Sequence, residues 1–109
     1  MSTTLSARTR AQLKSLAHSL APVVQVGAEG LTSAVQRATT VALEDHELVK
    51  VKLGQGFTGE REEAGQTLAE QTDAALVQVI GRVVVLYRRR CKDDPKRPRI
   101  ELVGAGTIR

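Results

Sequence analysis

The apolar run VVVLY at residues 83–87 constrains the fold more than any other part of the sequence. It is apolar at every position, and such a strand is usually buried on both faces of a sheet. Residues 75–80 (ALVQVI) have the composition of a second strand, and Gly81 and Arg82 between the two runs fit a type II′ hairpin. We therefore expect the strand at residues 83–88 to lie inside a sheet and not at its edge.

Apolar periodicity places five further elements before this hairpin. They are helices at residues 5–20, 32–43 and 60–72, and strands at residues 22–26 and 47–53. Ser6 and Thr32 are the predicted N-caps of the first two helices, because a hydroxyl there accepts a hydrogen bond from the first turn. The predicted apolar stripe of the second helix consists of Ala34, Val35, Ala38, Val41 and Ala42.

The resulting order, α-β-α-β-α-β-β, predicts a two-layer α/β domain with a mixed four-stranded sheet. Two right-handed crossovers that step in the same direction place the second and third helices on one face. The last strand then returns antiparallel between the second and third strands, which gives the strand order 1-2-4-3. The first helix lies outside this unit and covers an end or part of the other face. We place the domain in residues 1–90 and interpret residues 91–109 as a basic C-terminal tail.

Composition limits the class of protein. Apolar residues make up 41% of the chain, with one Phe, one Tyr and no Trp, so the core must be aliphatic. No apolar run approaches the roughly 20 residues that span a bilayer. The one cysteine, Cys91, cannot form an internal disulfide. We expect a cytoplasmic protein without a membrane partner.

Signatures of catalysis and metal binding are not found in the sequence. There is no Walker loop, no GxSxG, no metal-spaced set of His and Cys, and no convincing carboxylate pair. His18 and His46 have no partners at suitable spacing. We therefore predict no enzymatic activity, no metal and no cofactor.

The charge is unevenly distributed along the chain. Residues 88–109 contain eight Lys or Arg and three acids, whereas residues 1–87 contain eight bases and nine acids. Residues 60–73 are acidic, with five carboxylates. This polarity suits a protein that binds a polyanion through one face. A solvated basic tail that aids solubility is the alternative interpretation.

One motif points to a specific contact, the sequence Gly27-Ala28-Glu29-Gly30 between a predicted strand and a predicted helix. Glycines let the backbone turn tightly and approach a ligand closely. The helix N-terminus that follows offers unpaired N–H groups to an anion. KH domains grip a sugar-phosphate backbone with such a GxxG loop. Glycines are also common in ordinary strand-to-helix turns.

Cationic side chains accompany this loop. Arg10, Lys14 and His18 are spaced four apart on the first helix, so they share one flank. Lys50 and Lys52 share one face of the second strand, where they either line an RNA surface or form its solvated side. The segment Arg88, Arg89 and Arg90 follows the last strand. We predict that these residues and the loop (Gly27, Ala28, Glu29 and Gly30) form one RNA-binding surface. Tyr87 is predicted to pack in the core in preference to stacking on a base.

Several blocks in the same order resemble the CRM family (the CRS1-YhbY domain), specifically its stand-alone bacterial YhbY members. The blocks are residues 13–18 (LKSLAH), 22–24 (PVV), 27–32 (GAEGLT), 46–52 (HELVKVK), 77–81 (VQVIG) and 85–88 (VLYR). The similarity covers about residues 5–90. It implies a fold like that of the C-terminal domain of translation initiation factor 3 with an added N-terminal helix.

The resemblance also implies a function, RNA binding without catalysis. Its bacterial members are associated with precursors of the large ribosomal subunit, so ribosomal RNA is the implied partner and ribosome assembly the implied role. We expect a monomer. Many loops of the family carry a basic or polar residue between the glycines, whereas this chain has Ala28 and Glu29. Because a carboxylate repels phosphate, contact here depends on the backbone of the loop.

Two other functions stay open. A general nucleic-acid binder of the Alba-like type would bind duplex DNA and RNA alike. A protein-interaction module would use the basic tail to bind an acidic partner.

Overall fold

The computed structural model describes residues 5–90, Ile100 and Leu102. It contains all seven predicted elements in the predicted order. They are α1 (Ala7–His18), β1 (Val24–Val26), α2 (Ser33–His46), β2 (Leu48–Leu53), α3 (Arg61–Gln71), β3 (Ala75–Ile80) and β4 (Val83–Tyr87). Gly81 in the β3–β4 hairpin has φ +58°, as a turn with Gly at its first central position requires.

The four strands form one sheet with the order β1-β2-β4-β3, which confirms the predicted topology. β1 is parallel to β2, and β4 is antiparallel to both of its neighbours. The register pairs Leu48 with Tyr87 at one end of β2 and Lys52 with Val83 near the other. The apolar strand β4 is therefore central, as its composition predicts.

Helices cover both faces of this sheet. α2 and α3 pack on the face that carries Val26, Val51 and Leu86, where they contribute Leu43 and Leu68 to the larger core cluster.

α1 packs on the opposite face through a second, smaller cluster. Leu13 and Ala17 of α1 contact Leu48, Val85 and Tyr87 of the sheet. Ile100 and Leu102 also pack against this cluster. Tyr87 is 2% exposed, so it packs in the core as predicted.

Local sequence chemistry explains where the first two helices begin. The Ser6 hydroxyl oxygen accepts a hydrogen bond from the Thr9 amide at 3.1 Å. The Thr32 hydroxyl oxygen accepts one from the Val35 amide at 3.2 Å. Both predicted N-caps are confirmed, and each satisfies an amide that the helix itself leaves without a partner.

The predicted apolar stripe of α2 is partly wrong. Ala34, Ala38 and Val41 are exposed, and the helix instead buries Thr39 and Leu43 together with Ala42. Thr39 can be buried because its hydroxyl donates to the Val35 carbonyl oxygen at 2.8 Å, which satisfies its polar group within the helix.

Candidate nucleic-acid interface

The Gly27–Gly30 loop connects β1 to α2 at one end of the sheet. Gly27, Ala28 and Glu29 are exposed, and the Gly30 amide donates to the Gly27 carbonyl oxygen at 3.0 Å to close the turn. Gly30 has φ +79°, a conformation that L side chains rarely adopt. Gly27 has no such φ, and a Cβ added there would meet no atom within 4 Å. The backbone of Gly27 is therefore open to a ligand.

A second glycine-rich segment, residues 54–59, is in contact with this loop. The Gly54 amide donates to the Val26 carbonyl oxygen at 2.8 Å. A Cβ on Gly56 would lie only 3.3 Å from the Ala28 nitrogen, so the two segments are in close backbone contact. The guanidinium group of Arg82 holds the segment by donating to the carbonyl oxygens of Leu53 (2.9 Å), Gly54 (2.6 Å) and Phe57 (3.1 Å).

The N-terminus of α2 adjoins the loop. Thr32 caps the amide of Val35, whereas the amides of Ser33 and Ala34 have no acceptor within the helix. Such a terminus, with its positive dipole end, favours an anion. The exposed carboxylate of Glu29 opposes this preference. A phosphate can therefore be bound by the backbone amides of the loop, but not by a favourable side chain between its glycines.

Beside the loop lies a part of the sheet that α1 leaves uncovered. Burial on the α1 side falls along the strands: Leu48 and Tyr87 at one end are 4% and 2% exposed, whereas Ile80 at the other end is 56% exposed. Gln25 and Lys52, which pair between β1 and β2, are also exposed on this uncovered part. Gly27 follows Gln25 by two residues, so the loop and the uncovered sheet are contiguous.

Four predicted site residues meet on this side of the molecule. Lys14 and His18 on α1 are exposed and line one groove together with Lys50 of β2. The Lys50 ammonium group donates to the carbonyl oxygen of His18 at 3.4 Å. Lys52 follows on the same strand face, toward the loop. We name Lys14, His18, Lys50 and Lys52 the cationic face.

Arg10 does not extend this face as predicted. Its Nη1 atom donates to the carbonyl oxygens of Leu76 at 2.5 Å and Val77 at 2.9 Å, on β3. The guanidinium group is thus used to attach α1 to an edge strand. The predicted ridge of three cations on α1 is reduced to Lys14 and His18.

The placement of Arg88, Arg89 and Arg90 differs more from the prediction. Arg88 forms an ion pair with Glu44 and donates to the Thr72 carbonyl oxygen at 3.0 Å. Arg90 is 4% exposed and donates to the carbonyl oxygens of Glu44 and Asp45. Arg89 is exposed.

These arginines also lie at the end of the sheet opposite to the loop. They follow Tyr87, which pairs with Leu48 at the start of β2, whereas the loop follows Val26, which pairs with Leu53 at its end. The five-residue step along β2 is about 17 Å at the usual rise of a strand. The prediction that the loop and Arg88 to Arg90 form one continuous surface is therefore wrong.

The two helical layers differ in charge. Glu62, Glu63 and Glu70 are exposed on α3, on the face of the sheet opposite to α1. α1 carries only cations among its charged residues. A polyanion is therefore attracted to the α1 side and repelled from α3.

Two features are absent from the described residues. No helix among them is long and apolar enough to cross a membrane. No group of three or more His, Cys, Asp or Glu within the described ranges is arranged to hold a metal ion. Cys91 and most of the predicted basic tail lie outside the described residues.

Sequence reasoning missed Gln25, Gln78 and Ile80 on the α1 side of the sheet. Gln78 and Ile80 line the same groove as Lys14 and Lys50. The polar residue inside the strand ALVQVI was a usable signal, since a glutamine in a strand usually marks a solvated face. Its side of the sheet was not predictable, because the register of β3 against β4 shifts between Leu76 and Gln78.

This fold and surface define a class: a small α/β domain that presents a glycine-bracketed loop beside a cationic sheet face. The family model of the CRS1 / YhbY (CRM) domain matches residues 5–88. The chain belongs to this family, as the resemblance in its sequence predicted.

Individual relatives agree with this assignment. A protein of Haemophilus influenzae named "RNA-binding protein" is 43% identical over 86 residues, which are 79% of this chain and 87% of the relative. The "Probable RNA-binding protein YqeI" of Bacillus subtilis is 33% identical over 98 residues, 90% of this chain and 98% of the relative. The solution structure of SAV1595 from Staphylococcus aureus is similar in fold, with a TM-score of 0.72 and 33% identity. It covers 89% of this chain and 100% of its own.

Proposed function

We propose that this protein is a monomeric, non-catalytic RNA-binding protein of the cytoplasm that binds ribosomal RNA in precursors of the large ribosomal subunit. The observation that carries RNA binding is that the Gly27–Gly30 loop adjoins the Lys52 end of the cationic face, which lies on the side of the sheet opposite to the acidic helix α3. The names of the relatives support the choice of RNA. The assembly role rests on the resemblance to the stand-alone bacterial members of the family.

The two parts of this surface supply different contacts. The amides of the loop and of the first turn of α2 bind phosphate at short range, because glycine allows close approach. Lys14, Lys50 and Lys52 neutralise neighbouring phosphates as point charges. Such contacts position a nucleic acid and carry little sequence information.

Sedimentation of the purified protein with large-subunit precursor particles tests the assembly role. We expect co-sedimentation at low salt and release at high salt, because binding that depends on phosphate contacts weakens as salt rises. Lys52→Gln is expected to weaken retention and to reduce the salt slope by about 1. Arg89→Gln, an exposed cation at the other end of the sheet, is the matched control and leaves both unchanged.

Either of two results would contradict this proposal. Wild-type protein that stays in the soluble fraction at low salt would refute the assembly role. An equal effect of Arg89→Gln and Lys52→Gln would refute the placement of the surface.

General nucleic-acid binding is the second candidate, because phosphate contacts by lysine and backbone occur equally with DNA. Competition between duplex RNA and duplex DNA of one sequence separates the two. Equal affinity supports the general binder, and a clear preference for RNA supports the first proposal.

A further inference from the structure

The groove between α1 and strands β3 and β4 has a composition that phosphate binding alone does not explain. It has a volume of about 410 Å³ and is lined by Lys14, His18, Lys50, Gln78, Ile80 and Val85, among others. We infer that this groove holds one unpaired nucleobase of the bound RNA. The inference rests on the proposed function and specifies the form of RNA that the protein selects.

The apolar part of the groove fits the flat face of a base. Val85 is 1% exposed and forms part of its floor, and Ile80 is 56% exposed at its rim. Proteins that bind splayed-out bases commonly hold them against flat or apolar side chains and hydrogen-bond their edges. A base placed here covers Ile80, one of the most exposed large apolar side chains among the described residues.

The polar part of the groove fits the edge of a base and the phosphates beside it. The carboxamide of Gln78 offers both donors and an acceptor, which is what the edge of a base requires. Lys14 and Lys50 bring positive charge to the groove. None of the described residues that line this groove is acidic.

An irregularity in the sheet is the reason that Gln78 belongs to this groove. Simple alternation from Leu76, which packs on the α2 and α3 side, would place Gln78 on that side too. The register shift between Leu76 and Gln78 instead pairs Gln78 with Val85, on the α1 side. β-Bulges re-aim side chains in this way and are frequent near functional sites. Arg10 binds the carbonyl oxygens of Leu76 and Val77 at this irregularity, so it stabilises the orientation of Gln78.

The groove and the loop are close enough for one RNA strand. β4 and β1 are two strand spacings apart, about 10 Å, and Lys52 lies on the strand between them. Open faces of four-stranded sheets in other RNA-binding domains hold two or three bases. Bases inside an A-form duplex are stacked and paired, and their major groove is too narrow for side chains. Only a bulged, looped or terminal nucleotide can therefore enter.

The test compares two RNA hairpins that differ by one extrahelical nucleotide in the stem. We expect the wild-type protein to bind the bulged hairpin about tenfold more tightly, within the range that single-base stacking contributes. Gln78→Ala and Ile80→Ala are each expected to reduce this preference to below about threefold, leaving the affinity for the fully paired hairpin unchanged. Matched controls on the other side of the sheet are Gln66→Ala on α3, an exposed glutamine, and Val41→Ala on α2, whose side chain is 58% exposed against 56% for Ile80.

An abasic nucleotide at the extrahelical position provides a measurement that needs no protein variant. If the groove holds the base, the abasic hairpin binds as weakly as the fully paired one. Equal affinity of the wild-type protein for the bulged, abasic and paired hairpins overturns the groove and leaves the proposed function standing. Failure to bind any of the three overturns both.

Discussion

A single residue, Glu47, connects the end of α2 to the chain that follows β4. It is fully buried, with 0% exposure, and has φ +65°. Its carboxylate accepts hydrogen bonds from the amides of Arg90 at 2.6 Å and Ile100 at 2.8 Å. Its own carbonyl oxygen accepts one from the Arg88 amide at 2.9 Å. Glu47 therefore attaches Arg90 and Ile100 to the end of α2.

The substitution Glu47→Ala is expected to lower the free energy of unfolding by about 2–4 kcal/mol, because it leaves two backbone amides without their acceptors. Urea denaturation measures this loss. Glu62→Ala on the exposed surface of α3 is the control and should change stability by less than about 0.5 kcal/mol. Equal stability of the two variants would show that the bonds from the buried carboxylate to Arg90 and Ile100 do not stabilise the fold.

The arginine contacts could not be predicted from the sequence. Arg88 pairs with Glu44, and Arg10 binds the carbonyl oxygens of Leu76 and Val77, so the partners lie 44 or more positions apart. A run of cations looks the same whether its members face solvent or satisfy buried carbonyl groups. The exposure of Lys14 and Lys52 was easier to predict, because helical and strand periodicity places them on solvated flanks.

At the scale of elements, the two glycines of the loop between β1 and α2 differ in what the fold requires of them. Gly30 has a positive φ, so it is needed for the loop to form. Gly27 has neither a positive φ nor a neighbour within 4 Å of its added Cβ. Within the described structure, nothing in the folded chain requires a glycine at position 27.

The two glycine variants are therefore expected to behave differently. Gly30→Ala should lower stability by about 1–2 kcal/mol, the usual penalty for a side chain in the left-handed region. Gly27→Ala should leave the melting temperature unchanged and weaken RNA binding about tenfold, or about 1.4 kcal/mol. Thermal melting and filter binding measure the two effects. Wild-type affinity in a stable Gly27→Ala variant would show that phosphate does not approach the loop backbone closely.

Element order and strand order were predictable because each depends on patterns within short segments. The caps Ser6 and Thr32 and the apolar strand β4 are local features, and the crossover rule then leaves few topologies. The buried side of α2 was not predictable, because Thr39 satisfies its hydroxyl group within the helix and is therefore buried where an alanine was expected. The irregularity at Gln78 depends on pairing with β4, which local sequence does not encode.

At the scale of the molecule, charge assigns opposite roles to the two sides of the sheet. The cationic face lies on the α1 side of the sheet, with the Gly27–Gly30 loop at the end of the sheet next to Lys52, whereas the carboxylates of α3 are on the other side. Arg88 and Arg90 bind within the protein at the far end. The proposed site is thus placed where the sheet brings α1 and the loop together, and not at the longest basic run in the sequence.

Titration of the isotope-labelled full chain with a ribosomal RNA hairpin, followed by backbone amide NMR, tests this surface most directly. We predict that the largest shifts occur at residues 27–33 and 50–52, with smaller shifts at residues 14–18 and 78–80. Amides of α3 and of Arg88 to Arg90 should stay unchanged at the same RNA concentration. Shifts concentrated in α3 or at Arg88 to Arg90, with the loop amides unmoved, would contradict the account.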